Sequence, residues 1–154
     1  MKTTTHIHRR DVLKITGAGA CALAVMPLSA NATPQSVQGE IDRLASGKTL
    51  KDDARVMLTL PEIAENGGTV PLTVNIESPM SDAEHIKAVH IYADGNPQPD
   101  VASYFLGTFN GKAELSLRMR LSKSQSVVAV AETNTGEVWV GRKQVKVTLG
   151  GCGG

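Results

Sequence analysis

Cys152 stands between two pairs of glycines, Gly150-Gly151 and Gly153-Gly154, in the stretch "TLGGCGG". A thiol can serve as nucleophile, metal ligand or disulfide partner, and in each role the reactive species is the thiolate. Structural cysteines favour packed interiors, which a run of glycines does not supply. Glycine lacks Cβ, so it keeps the backbone narrow and admits φ values closed to other residues. A thiol mounted in this way can thread into a constricted pocket. From Leu149 to Gly154 the arm extends at most ~17 Å, at about 3.3–3.6 Å per residue. Ordering each of its residues costs roughly 1–2 kcal/mol, so docking should be weak and transient. The thiol itself is not activated. A free cysteine titrates near ~8.5, and the carboxylate of Gly154 disfavours the thiolate further. Lys143 and Lys146 oppose that only if the arm folds back. The activating chemistry is then expected from whatever receives the arm, which makes this chain a substrate carrier more than an enzyme. The competing reading is a frayed tail with an incidental cysteine.

Other residue types offer less. His85 and His90 are five positions apart, which is not a standard metal-pair spacing, and on one strand they point to opposite faces. Met80 or Met119 beside them would suggest copper, but Met119 falls on the apolar face of the clearest strand pattern. No metal or other cofactor is expected. The carboxylates Asp52, Asp53, Glu62, Glu65, Glu77 and Glu132 are scattered and read as solvated faces and turns. There is no G-x-S-x-G, no phosphate-cradling glycine loop and no dinucleotide fingerprint. The aromatic residues are Trp139, Tyr92, Tyr104, Phe105 and Phe109 alone, and the 16 Lys+Arg are nearly balanced by 15 Asp+Glu. That combination argues against a nucleic-acid surface, which stacks bases on aromatics beside basic charge.

The first residues read as an export signal, not as part of a fold. Arg9 and Arg10 precede Leu13 and Lys14, an uncharged Ala- and Gly-rich run follows, and Ala30-Asn31-Ala32 is a small-x-small cleavage triplet. This is the pattern of a twin-arginine signal over residues 1–32, with cleavage after Ala32 and delivery to the periplasm. A short membrane anchor and a lipoprotein cut at Cys21 are the alternatives; Ala18 stands where a lipoprotein site wants Leu. Cleavage removes Lys2, Arg9, Arg10, Lys14 and Asp11, leaving 12 basic and 14 acidic side chains and a formal charge of −2. It also removes Cys21, so Cys152 is left as the sole thiol. In an oxidising compartment a single cysteine implies an intermolecular bond or a reactive group, and an idle one invites oxidation.

The elements that would position this thiol are mostly strands. "PQSVQGEIDRLASG" puts Val37, Ile41 and Leu44 on one helical stripe, with Gly47 as a stop. From Arg55 the period becomes two. Val56, Leu58 and Leu60 share a face, then Val70, Leu72, Val74 and Ile76, with Pro71 suggesting an edge or a strand start. "PEIAENGG" between them reads as a turn or loop. "IKAVHIYAD" alternates less cleanly. Ala113, Leu115, Leu117, Met119 and Leu121 form the clearest run, after Asn110-Gly111, a dipeptide favoured in two-residue hairpins. "SVVAVAET" and "EVWVGRKQVKVTL" are joined by "NTG", another hairpin signal. About seven strands without alternating helices predict an all-β, immunoglobulin-like antiparallel β-sandwich over residues 33–149. It carries a short N-terminal helix and a flexible arm over 150–154.

The ending "VKVTLGGCGG", the internal "LPEIAENGGTVPLTV" and the paired arginines together resemble the SoxY family, the carrier subunits of the bacterial thiosulfate-oxidising (Sox) system. The resemblance implies a sandwich paired with a SoxZ-like subunit that lacks its own signal. It implies that Cys152 is the covalent attachment point, and that Gly150, Gly151, Gly153 and Gly154 are the swinging arm. A haem enzyme (SoxAX) would couple thiosulfate to the cysteine. A hydrolase (SoxB) would release the terminal sulfone as sulfate, and in some organisms a molybdenum enzyme (SoxCD) would oxidise the remaining sulfane. Two rivals stay open on the residues alone. One is an exported scaffold using Cys152 for a permanent intermolecular disulfide. The other is a small metalloprotein using His85 and His90.

Overall fold

Alternation of apolar and polar residues decides which face of each strand turns inward, and the computed structural model describes the outcome for residues 34–148. One helix, α1 (Pro34–Leu44), precedes nine strands: β1 (Thr49–Asp52), β2 (Val56–Thr59), β3 (Ile63–Ala64), β4 (Val70–Ile76), β5 (Ile86–Ala93), β6 (Asp100–Phe105), β7 (Ala113–Met119), β8 (Gln125–Thr133) and β9 (Glu137–Val147). One sheet runs β1-β9-β8-β5-β6, with β3 also joined to β9, and the other runs β2-β4-β7. The two sheets make an all-β sandwich. Its long pairings are antiparallel, and only the short β1 and β3 lie parallel to β9.

In β4 every second residue is buried: Val70, Leu72, Val74 and Ile76. They meet Val89, Ile91, Val127, Ala129 and Trp139 from the larger sheet in one core. Strands β5 and β8 are buried along almost their whole length because both of their faces are covered. Their inner residues enter the sandwich. On the outer face, Tyr92 and Val128, Val130, Val138 and Val140 lie under α1, where Val37 and Ile41 close a second core. The helical stripe therefore has a docking face, which sustains an 11-residue helix that would be marginal in isolation. No helix among the described residues is long and apolar enough to cross a membrane.

Two local expectations are corrected and a third, on Pro71, holds. Asn110-Gly111 does not close a two-residue hairpin. Thr108–Asn110 is a 3-10 turn, ended by Gly111 at φ 68°, and β6 and β7 belong to different sheets. The positive φ that glycine tolerates serves as a helical stop here, and the Asn110 side chain accepts from the Gly107 N–H at 2.8 Å. Pro71 does stand at a strand start, as the second residue of β4. It is tolerated where β2 no longer flanks β4, since that ladder covers only residues 73–76 of β4. "PEIAENGG" is not simply a turn, because it contains β3.

Candidate functional site

Cys152, with Gly150, Gly151, Gly153 and Gly154, lies outside the described residues. What the structure places is the root from which they follow. The β8–β9 hairpin turns at Gly136, whose φ of 87° is open to glycine. Its ladder runs back to Gln125 opposite Val145. Beyond Val145, β9 continues through Lys146 and Val147, and there its partner is β3: Ile63 faces Lys146 and Ala64 faces Val147. The Lys146 N–H donates to the Glu62 carbonyl at 2.9 Å, and the Thr148 N–H donates to the Ala64 carbonyl at 3.0 Å. The Thr148 hydroxyl reaches the same carbonyl at 3.4 Å. From the other side the Ser124 hydroxyl accepts from the Val147 N–H at 2.9 Å and donates to its carbonyl at 3.3 Å.

The loop after β3 is fixed as well. Asn66 Oδ1 accepts from the Gly68 N–H at 2.8 Å, an Asx-type turn. The Gly67 carbonyl accepts the Leu121 N–H at 2.7 Å. A Cβ on Gly67 would stand 2.2 Å from the Leu121 carbonyl oxygen and 2.9 Å from the Val147 side chain. The close approach requires glycine. The second stretch that carried the family resemblance thus lies directly against the root of the first.

The two histidines are not brought together. His85 precedes β5 and its Nδ1 contacts the Ser81 carbonyl at 3.0 Å. His90 lies on the outer face of β5, between the Ser103 hydroxyl at 2.8 Å and Glu132 at 3.1 Å. Among the described residues no three His, Cys, Asp or Glu gather to hold a metal ion. Two carboxylates expected on solvated surfaces are otherwise engaged. Glu132 is 8% exposed and pairs with Lys48, His90 and, at 3.6 Å, Lys87. Burial pushes its carboxyl up, but the hydrogen bonds from Lys48 and His90 and the nearby lysine charges more than offset this. The result lies below the ordinary range. So held, it is a weak proton acceptor at neutral pH. Asp53 is bound by Arg55, whose guanidinium lies 3.5 Å over the Trp139 ring. The single acidic residue ending the apolar run "VVAVAET" was the one available hint of the Glu132 cluster.

The chain matches the family model described as "Sulfur oxidation protein SoxY" over residues 41–152, a span whose last residue is Cys152. Among solved structures it is similar to the sulfur carrier protein SoxY from Chlorobium limicola f thiosulfatophilum. The identity is 30% and the TM-score 0.62, covering 75% of this chain and 98% of that one. It also resembles a superoxide reductase (neelaredoxin) from Ignicoccus hospitalis, at 21% identity and TM-score 0.55 over 75% and 93% of the two chains. A putative superoxide reductase from Thermotoga maritima shares 16% identity at TM-score 0.53, over 69% and 91%. These reductases share the sandwich fold alone. No curated protein sequence matches. The match over residues 41–152 decides the assignment: the chain belongs to the SoxY family of sulfur oxidation proteins.

Proposed function

We propose that this protein is a periplasmic sulfur carrier of thiosulfate oxidation and not itself an enzyme. Cys152 holds the sulfur intermediate, and Gly150, Gly151, Gly153 and Gly154 let the loaded thiol enter successive active sites. The observation that carries this reading is the family match ending on Cys152, four residues after a root that the sandwich anchors. Residues 1–32 direct export by the twin-arginine route, and a SoxZ-like subunit is the constant partner of the sandwich.

The chemistry balances with two partner enzymes. The Cys152 thiol and thiosulfate join through a new S–S bond, releasing one proton and two electrons, which the haem enzyme SoxAX accepts. The product is a cysteine S-thiosulfonate. Water, activated by the hydrolase SoxB, then cleaves the bond to the terminal sulfone and releases hydrogen sulfate, leaving a persulfide on Cys152. Where SoxCD is present it oxidises that remaining sulfur. The sandwich needs no metal of its own for any of these steps.

Intact-mass analysis after incubation with thiosulfate and the haem enzyme tests the reading. The expected product is heavier by one S2O3 unit, thiosulfuric acid less two hydrogens, with the adduct mapping to Cys152 and absent from Cys152→Ser. Reductant-sensitive cross-linked chains as the sole product would support the disulfide scaffold instead.

A further inference from the structure

We infer that residues Glu62–Gly67 are a strap that fixes where the cysteine arm leaves the sandwich. Ala64, Gly67 and Thr148 then act as positioning residues for transfer of the loaded thiol. This rests on the carrier reading above and adds a role for a segment which that reading leaves unused.

The argument begins with β9 outrunning its hairpin partner. The β8 ladder ends at Val145, and past that point β3 holds one side of the chain while Ser124 holds the other. The strap is secured at both of its own ends. Its start accepts from Lys146 through Glu62, and its finish accepts from Leu121 through Gly67. Nearly all of these bonds use backbone atoms, so they set a path and not a chemistry. The one strict side-chain demand, the missing Cβ of Gly67, lets the strap lie flat between Leu121 and Val147.

The consequence is a matter of length. From Thr148 to Cys152 is four residues, whereas from Val145 it is seven. At full extension those tethers reach ~13–14 Å and ~23–25 Å. For a flexible tether the effective concentration at a docked site falls with about the −3/2 power of length. Releasing the strap together with the Ser124 contacts would therefore dilute the thiol about twofold. Releasing the strap alone, with Ser124 still on Val147, would dilute it by less, so the loss of a defined exit direction carries most of the expected effect.

Thr148→Pro removes both donors to the Ala64 carbonyl. It also confines Val147 to the extended conformation that it already has. Gly67→Ala disturbs the strap from its other end. Both are compared with the parent in the SoxZ-bound complex, loaded with thiosulfate by the haem enzyme. The expected result is faster hydrogen exchange at the Lys146 amide and a two- to tenfold lower kcat/KM for loading. Alkylation of Cys152 by iodoacetamide should be unslowed, and Thr148→Ser should behave as the parent. A purely structural role would not separate enzymatic loading from small-molecule alkylation. Parent-like loading in variants with a released Lys146 amide would overturn the proposal, as would a Lys146 amide left protected in Thr148→Pro. If the parent takes up no thiosulfate, the carrier reading falls and this proposal falls with it.

Discussion

Asp53 and Arg55 are two residues apart in the turn before β2, and together they cap one end of the core. Asp53 Oδ1 accepts from the Arg55 N–H at 3.0 Å and from Nε at 3.1 Å, and Oδ2 accepts from Nη2 at 2.8 Å. The guanidinium, thus held, lies over Trp139, a geometry that adds a cation–π attraction. Trp139 in turn donates Nε1–H to Glu137 at 2.8 Å. The Arg55 side-chain hydrogen bonds, followed by the one from its backbone, lower the Asp53 carboxyl to about 2 from an ordinary 3.8. A depressed carboxylate contributes stability above its unfolded value and loses it as pH falls through the folded one. The pair is partly open to solvent, so its contribution is on the order of 0.5–1 kcal/mol. Asp53→Asn should therefore melt about 2–5 °C below the parent at pH 7. The gap should close between pH 4 and pH 2. Thermal unfolding across that range checks this, and a gap that persists at pH 2 would count against the assigned cause.

Helix α1 reads as a stripe of Val37, Ile41 and Leu44, and the sheet shows why the stripe matters. Ile41 is fully buried among Tyr92, Val128, Val130, Val138 and Val140. Ile41→Ala should cost about 2–5 kcal/mol, the range for a buried large-to-small change. Denaturant unfolding measures it, and a loss below about 1 kcal/mol would mean that the helix is not docked in solution. The same helix explains which elements were legible. Strands β2 and β4 have one covered face and show period two. In "IKAVHIYAD" the alternation blurs because α1 covers the second face, so the sequence reads as a buried run. Strand β3 has two residues, too few to show any period, and its bonds are made by backbone atoms that no residue type announces. Asn110-Gly111 carries a turn signal that a 3-10 stop satisfies as well as a hairpin does. The proposed role of Cys152 rests instead on residue type and spacing, a thiol between glycines, at a position outside the described residues. Glu132 was misread as solvated because its partners, Lys48, Lys87 and His90, come together only through the sheet.

At the scale of the whole molecule the scaffold and the proposed chemistry occupy separate stretches of chain. Both hydrophobic cores are built from residues between Val37 and Val147. The proposed reactive group is at Cys152, beyond the root held by β3 and Ser124. A carrier benefits from that separation, because the loaded group can enter different pockets without disturbing the packing of the sandwich. An enzyme that gathered its own catalytic groups around the thiol would couple the two, since burying the thiol would make it part of the core. Removal of residues 150–154 should therefore leave the unfolding temperature within about 2 °C of the parent. A change of 1 kcal/mol in a domain of this size would shift it by more, about 4–8 °C for 60–100 residues. The same truncation should abolish thiosulfate uptake completely. A loss of stability well beyond 2 °C would place the segment around Cys152 in the packed body of the protein, and a thiol so placed could not travel between enzymes.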